Sequence, residues 1–202
     1  MLHTTFTLLR KAQACSGRYR HFAKAVGGVK VYGAQTPIPL TLILERNGLD
    51  DALWCLRCVL PEEVEERDKQ ARLLACDYAE RTLHLFGAQF PQDARPRQAI
   101  ETARRFTNGE AALAEMDAAR DAAWDAARDS AGDAAWVARN AAWVARNAAG
   151  DAALAAWAAA WVVARATGAA AWVSARAGAI EREWQAQRFR ELLEAGGDKA
   201  PA

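Results

Sequence analysis

The chain has 202 residues, of which 52% are hydrophobic and 25% charged, and a formal net charge of +1. That length fits one domain, or a small domain with an extension, and suffices to bury a sizeable core. Near-neutrality excludes a global field that would draw the protein to nucleic acid, a membrane surface or an acidic substrate. Locally the charge is uneven: residues 1–60 carry eight Lys/Arg against three Asp/Glu, and residues 110–133 carry seven acids against two arginines. Blocks of this kind form solvated faces or meet a complementary surface, within the chain or on a partner.

From the N-terminus the signals are helical. Met1–Arg10 has no long apolar run behind a basic stretch, so no secretory signal is expected. Thr5–Ala14 and Gly17–Val26 read as short helices, the second stopped by Gly27 and Gly28. Val29–Pro39 is the one stretch that reads as strand or extended loop, with Val29, Val31, Gly33, Pro37 and Pro39. Leu40–Asn47 follows as a helix closed by Gly48, and Asp50 or Asp51 is expected to cap the next, which bears Trp54 and runs to Val59. Pro61 suits a first helical position, with Glu62, Glu63, Glu65 and Glu66 complementing the helix dipole. The apolar stripe Ala71, Leu74, Ala75, Tyr78, Thr82, Leu85 and Phe86 has the helical period, and Gly87 is expected to end it. Asp93 and Pro96 start another helix, with Ile100, Ala103 and Phe106 inward and Asn108-Gly109 as its stop.

After Gly109 the composition changes. Of the 71 residues from Glu110 to Ile180, 33 are alanine, and seven of the eight tryptophans lie between 124 and 184. Alanine is the best helix former, so helix is expected despite the low complexity. Gly132, Gly150 and Gly168 recur every 18 residues, as do Trp136, Leu154 and Trp172, and Trp143 and Trp161. Eighteen residues make about five turns, which lays these side chains along one face of an unbroken helix. The period is shorter than that of two-helix solenoid units. Continuity through Gly132 and a break near Gly150 predict two long antiparallel helices, 110–148 and 151–195, with tryptophans and valines set into Ala/Gly notches. The longest apolar run, Ala152–Ala164, has thirteen residues and falls short of the ~20 that a membrane span needs.

Chemistry-bearing patterns are few. Cys55 and Cys58 form a CxxC pair, but no glycine or proline lies between or beside them, no second pair exists, and His3, His21 and His84 are scattered. Small buried residues on a helix account for them better than zinc or redox chemistry. Asp117, Asp121, Asp125, Asp129 and Asp133 form a ladder with a step of ~6 Å along a helix. Its plain reading is a solvated face with Asp117–Arg120 and Asp125–Arg128 pairs; the sharper one is an acidic partner face that mimics a phosphate backbone. Trp136, Arg139, Trp143, Arg146, Trp157, Trp161, Arg165, Trp172 and Arg176 occupy a segment, 134–180, in which Asp151 is the only acid. An aromatic stripe at helical spacing is most often core; the alternative is a pocket in which indoles stack on a base and guanidinium groups meet phosphates. There is no GxSxG, Walker loop or HExxH.

One passage carries a resemblance. Ala75-Cys76-Asp77-Tyr78-Ala79-Glu80-Arg81-Thr82-Leu83 and Pro91-Gln92-Asp93-Ala94-Arg95-Pro96-Arg97-Gln98-Ala99-Ile100-Glu101-Thr102-Ala103-Arg104 resemble the immunity proteins encoded beside bacterial polymorphic toxins, over 71–106 closely and over the alanine-rich tail loosely. Thr36–Trp54 is similar to a segment of uncharacterised tailed-phage and prophage proteins. The resemblance implies an all-α binding protein without a catalytic centre.

The expectation is therefore an all-α protein: a helical segment over 1–60, a helical pair over 61–109 resembling the immunity-family core, an Ala/Trp-rich helical repeat over 110–195 and a tail over 196–202. Its expected function is non-enzymatic inhibition of a host-defence or toxin protein in the bacterial cytoplasm, by a phage- or prophage-encoded protein. The alternatives are sequestration of a nucleotide-like ligand by the Trp/Arg residues and structural self-assembly. Neither cofactor, metal, membrane nor nucleic acid enters this reading, and the broad apolar alanine surface points to a homo-oligomer. For the cysteines the expected outcome is that EDTA leaves the melting temperature unchanged and elemental analysis finds no stoichiometric zinc. A large melting shift would make the pair a metal site.

Overall fold

The computed structural model describes residues 1–130, 132–148 and 175–196. The chain is all-α, with one minimal strand pairing: β1, His3–Thr4, runs antiparallel to β2, Ile38–Pro39, His3 facing Pro39 and Thr4 facing Ile38. Proline has no amide hydrogen to extend the ladder. The residues divide into two units, Met1–Gln70 with Trp184–Ala202, and Ala71–Glu183.

In the first unit α1, Phe6–Lys11, opens on Thr5, whose hydroxyl accepts the Leu8 amide at 3.1 Å. A cap of this kind contributes about 1 kcal/mol. Phe6 is the hub. The rings of Tyr19 and Phe22 on α2 (Ser16–Ala25), and of Tyr32 on α3 (Val29–Tyr32), stand 5.4, 5.7 and 6.0 Å from it.

Helix α3 corrects the expected strand. Val29–Tyr32 forms a single helical turn, closed by the bond from the Gly33 amide to the Val29 carbonyl at 2.9 Å. Gly33, at φ 99°, ends it, and a β-carbon there would collide with Thr36. Tyr32 is anchored on Phe6, and that contact outweighs the weak strand preference of two valines.

Helix α4, Leu40–Asn47, buries Leu40, Ile43 and Leu44, and ends as expected at Gly48, whose φ is 87°. Helix α5, Leu49–Cys55, begins directly from Gly48 and passes into a 3₁₀ turn, Leu56–Cys58. Neither Asp50 nor Asp51 caps it. Asp51 lies inside the first turn and takes Arg18 at 2.8 Å and the Asn47 amide at 2.7 Å. From the C-terminal stretch Phe189 and Leu193 are buried in this unit, and Arg190 meets Glu45 at 3.2 Å.

A second 3₁₀ turn, Pro61–Glu63, leads into α6, Val64–Gln89, whose residues from Ala71 onward belong to the second unit. Its expected stripe is buried at Ala71, Leu74, Ala75, Tyr78, Thr82 and Phe86. Gly87 does not stop it. Gly87 has no positive φ, and the helix ends just ahead of Phe90-Pro91, where proline disfavours helical geometry in its predecessor. Helix α7, Arg95–Thr107, buries Ala99, Ile100 and Ala103 and stops at Asn108-Gly109, with φ 77° at the glycine.

Helices α8, Leu113–Asp129, and α9, Gly132–Ala148, form an antiparallel pair. The expected single helix through Gly132 is broken. Ser130 is extended (φ −119°, ψ 168°), its hydroxyl turns back to the Ala126 carbonyl at 2.7 Å, and Gly132 sits at φ 58°. The break lets α9 fold back, burying Ala134, Val137, Ala138, Ala141, Ala142 and Val144 while α8 buries Met116, Ala123 and Ala126. Helix α10, Ala175–Ala195, is the described part of the expected 151–195 helix; Gly150, Gly168 and residues 151–174 lie outside the described residues. Among the described residues no helix is long and apolar enough to cross a membrane.

Arg104 ties α7 to α6. Its Nη2 lies 2.8 Å from the Asp77 carboxylate and also meets Glu80. The Asp77 side chain is 9% exposed, so its bond to Arg104 is largely shielded from solvent. Arg104→Leu is expected to lower the unfolding free energy by about 1–3 kcal/mol, the range for a charge-assisted bond at a partly exposed site. In a urea-unfolding double-mutant cycle with Asp77→Asn the two losses should not add. Full additivity would show that the pair is not coupled.

Candidate partner-binding surface

The passage from 75 to 104 builds a scaffold before it builds a surface. Cys76 and Tyr78 are fully buried on α6, and burial pushes the Cys76 thiol up to about 12 and the Tyr78 hydroxyl upward as well. Arg81 reaches Glu181 at 3.2 Å. At the start of α7 the Asp93 carboxylate accepts the Arg95 amide at 3.0 Å and both faces of its guanidinium fork. The Arg95 guanidinium holds that carboxyl below its ordinary range. The same Arg95 reaches Asp129, at the end of α8, at 2.9 Å. Asp77, Glu80, Arg81, Arg95 and Arg104, all in the passage that reads as family motif, therefore fix helices to one another.

Beside this scaffold lies a groove of about 420 Å³. Helix α7 contributes Arg95, Gln98, Glu101, Thr102 and Arg105, and α8 contributes Ala118, Ala119 and Ala122. One wall is polar and carries both charges; the other is methyl groups. Arg105 is braced by Glu115 at 3.2 Å, and Glu115 is held below the ordinary carboxylate range chiefly by the Ala112 amide. Gln98, Glu101 and Ala118 are exposed.

Four residues of the aspartate ladder are paired in place, with three arginines between them. Asp117 and Asp121 share Arg120 at 2.7 and 3.0 Å, Asp125 meets Arg128, and Asp129 holds Arg95. The side chain of Asp133 lies outside the described residues. On α9 the sequence Ala-Trp-Val-Ala-Arg-Asn-Ala occurs twice, at 135 and 142, and seven residues are nearly two turns. Trp136, Arg139, Trp143 and Arg146 accordingly share one side of α9, the indoles half-buried and the arginines exposed. Val137, Asn140, Ala141 and Val144 form the buried stripe next to them. Trp157, Trp161, Arg165 and Trp172 lie outside the described residues, as does the side chain of Arg176.

The groove was not among the expected sites. Its signal was present in the outward α7 positions Gln98, Glu101, Thr102 and Arg105, spaced by three and four residues. What was missing was the fold-back of α8, which brings alanines alongside them.

The cysteines separate by environment. Cys55 and Cys58 are buried, and the Cys55 thiol donates to the Cys58 sulfur, which raises Cys55 and lowers Cys58. Among the described residues no group of three or more His, Cys, Asp or Glu is arranged to hold a metal. Cys15 is exposed and lowered by the Arg18 and Gly17 amides. Since the thiolate is the nucleophile, DTNB at pH 8 should modify one thiol rapidly in the folded protein and the others only on unfolding. Cys15→Ser should abolish that fast phase. A second fast equivalent would contradict the burial of the other three.

No curated protein and no solved structure matches the chain. Residues 62–192, about two thirds of the sequence, match the family described as Imm-5 like putative immunity protein, and this segment contains α7, α8, α9 and the groove between the first two. The chain belongs to that family.

Proposed function

We propose that the protein is a non-catalytic inhibitor that binds a toxin protein and neutralises it through the α7–α8 groove. The observation that carries this reading is the coincidence of the family segment, 62–192, with a partly apolar groove that bears charges of both signs and whose rim is braced by ion pairs. A braced rim costs little to order on binding, which favours tight protein–protein recognition. In this reading the protein is phage- or prophage-encoded and acts in the cytoplasm of a bacterial host on a toxin or a host-defence protein.

A second reading has its own observation. The half-buried Trp136 and Trp143 beside exposed Arg139 and Arg146 form a ribbon able to stack a base and pair a phosphate. It assigns the protein to sequestration of a nucleotide-like ligand.

Co-expression with a polymorphic toxin encoded beside it is expected to restore growth and to yield a stable complex. Ala118→Trp, which fills the groove from an exposed helix position, should lose both while unfolding normally. Rescue unchanged by Ala118→Trp would move the site off the groove. Absence of rescue, with a nucleotide released from the purified protein on heating, would favour the ribbon on α9.

A further inference from the structure

We infer that helices α1 to α3 form a docking surface for an acidic face of a partner protein. This rests on the inhibitor reading and adds the sign of the partner's surface and a second place of contact. Residues 1–44 contain Arg10, Lys11, Arg18, Arg20, Lys24 and Lys30 and not one aspartate or glutamate. All six are exposed. Arg18 is neutralised by Asp51, and Arg10 lies over the Tyr19 ring at 5.9 Å. Lys11, Arg20, Lys24 and Lys30 have no ion pair among the described residues.

The charges stand on a rigid support. Phe6 holds α1, α2 and α3 together through its contacts with Tyr19, Phe22 and Tyr32. Arg20 and Lys24 are each two residues from buried Phe22 and so project roughly 160° away from it. Val31, next to Lys30 in the chain, is 80% exposed. An exposed apolar side chain is what an interface buries, and charges of one sign are what steers a partner to it. The acids best placed in sequence to complement the patch, Asp117 to Asp129, already hold arginines of their own unit.

A protein partner fits better than nucleic acid. Nucleic-acid modules are strongly basic as whole domains and expose aromatic rings or reading helices. Here Glu45, Asp50, Asp51 and the acids of 62–68 bring the first unit near neutrality, and Tyr19 and Tyr32 are engaged with Phe6. The sign also restricts the target. Clefts that bind phosphate backbones are lined with Lys and Arg, and this surface would be repelled by them. A toxin acting on nucleic acid would thus meet α1 to α3 with some other, acidic face. The patch lies outside the family segment, which begins at residue 62.

The test uses the full chain, a fluorescent polyglutamate peptide and a duplex DNA of equal charge, followed by anisotropy at low and physiological salt. Polyglutamate should bind at low salt and weaken as salt screens the contact. The combined variant Lys11→Glu, Arg20→Glu, Lys24→Glu, Lys30→Glu should lose binding by at least ~10-fold with its helical circular dichroism intact, whereas Arg97→Glu on α7 should change it by less than ~2-fold. Equal or tighter binding of DNA, no polyglutamate binding, or insensitivity to the four reversals would each overturn the inference. The toxin rescue separates the two proposals. Rescue that survives the four reversals defeats the patch and leaves the inhibitor reading standing, and patch-dependent polyglutamate binding without rescue does the opposite.

Discussion

Little more than methyl groups separates α8 from α9. Ala123 and Ala126 face a helix whose inward positions are Ala134, Ala138, Ala141, Ala142 and Ala145, all at most 1% exposed. Small side chains let two backbones approach closely, which gives many weak dispersion contacts in place of a few large ones. The cost is specificity. A smooth alanine surface hardly distinguishes one register from the next, since each methyl contributes on the order of 1 kcal/mol or less. Charge-assisted pairs add the geometric specificity that methyl groups lack. In the Ala71–Glu183 unit Arg104 between Asp77 and Glu80 fixes α7 to α6, Arg95 between Asp93 and Asp129 fixes α7 to the end of α8, and Arg81 meets Glu181 on α10. The charged residues of the family passage thus supply fixed points beside the alanine packing, and Arg95 holds α7 to α8 at the groove.

This division of labour explains which features were legible beforehand. Helices marked by their own side chains appeared where the spacing placed them: α4 up to Gly48, the buried stripe of α6 and α7 up to Gly109. The errors fell where a distant contact decided. Val29–Tyr32 is helical because Tyr32 packs on Phe6, a partner 26 residues earlier in the sequence. Gly132 breaks the repeat although Gly87, similarly isolated, does not break α6; the difference is the neighbouring helix that the fold-back allows α9 to reach. Asp51 resembled a cap and serves instead as a receptor for Arg18. The α7–α8 groove was unreadable because its walls come from two helices joined through residues 108–112, and Asn108-Gly109 marks the end of α7 without fixing which face of α8 packs beside it. The tryptophan–arginine ribbon on α9 did follow from spacing alone, through Trp136, Arg139, Trp143 and Arg146.

The family assignment and the physical reading meet at one point. The immunity segment supplies a clamped helical scaffold with a surface of mixed charge. Outside it, the first 44 residues supply charge of one sign on an aromatic platform. On the reading proposed above, two surfaces of different character give a route to selectivity, one by shape and the other by the sign of its charge.

The first unit is made of chain segments that are far apart in synthesis. Its buried Phe189 and Leu193 leave the ribosome long after Leu2, Phe6 and Leu40, with the whole Ala71–Glu183 unit translated in between. The N-terminal helices must wait, incompletely covered, until the last twenty or so residues emerge, whereas the alanine helices can pair as soon as they are made. A chain that stops before Phe189 would lack two fully buried side chains of the first unit and the Arg190–Glu45 pair beside them.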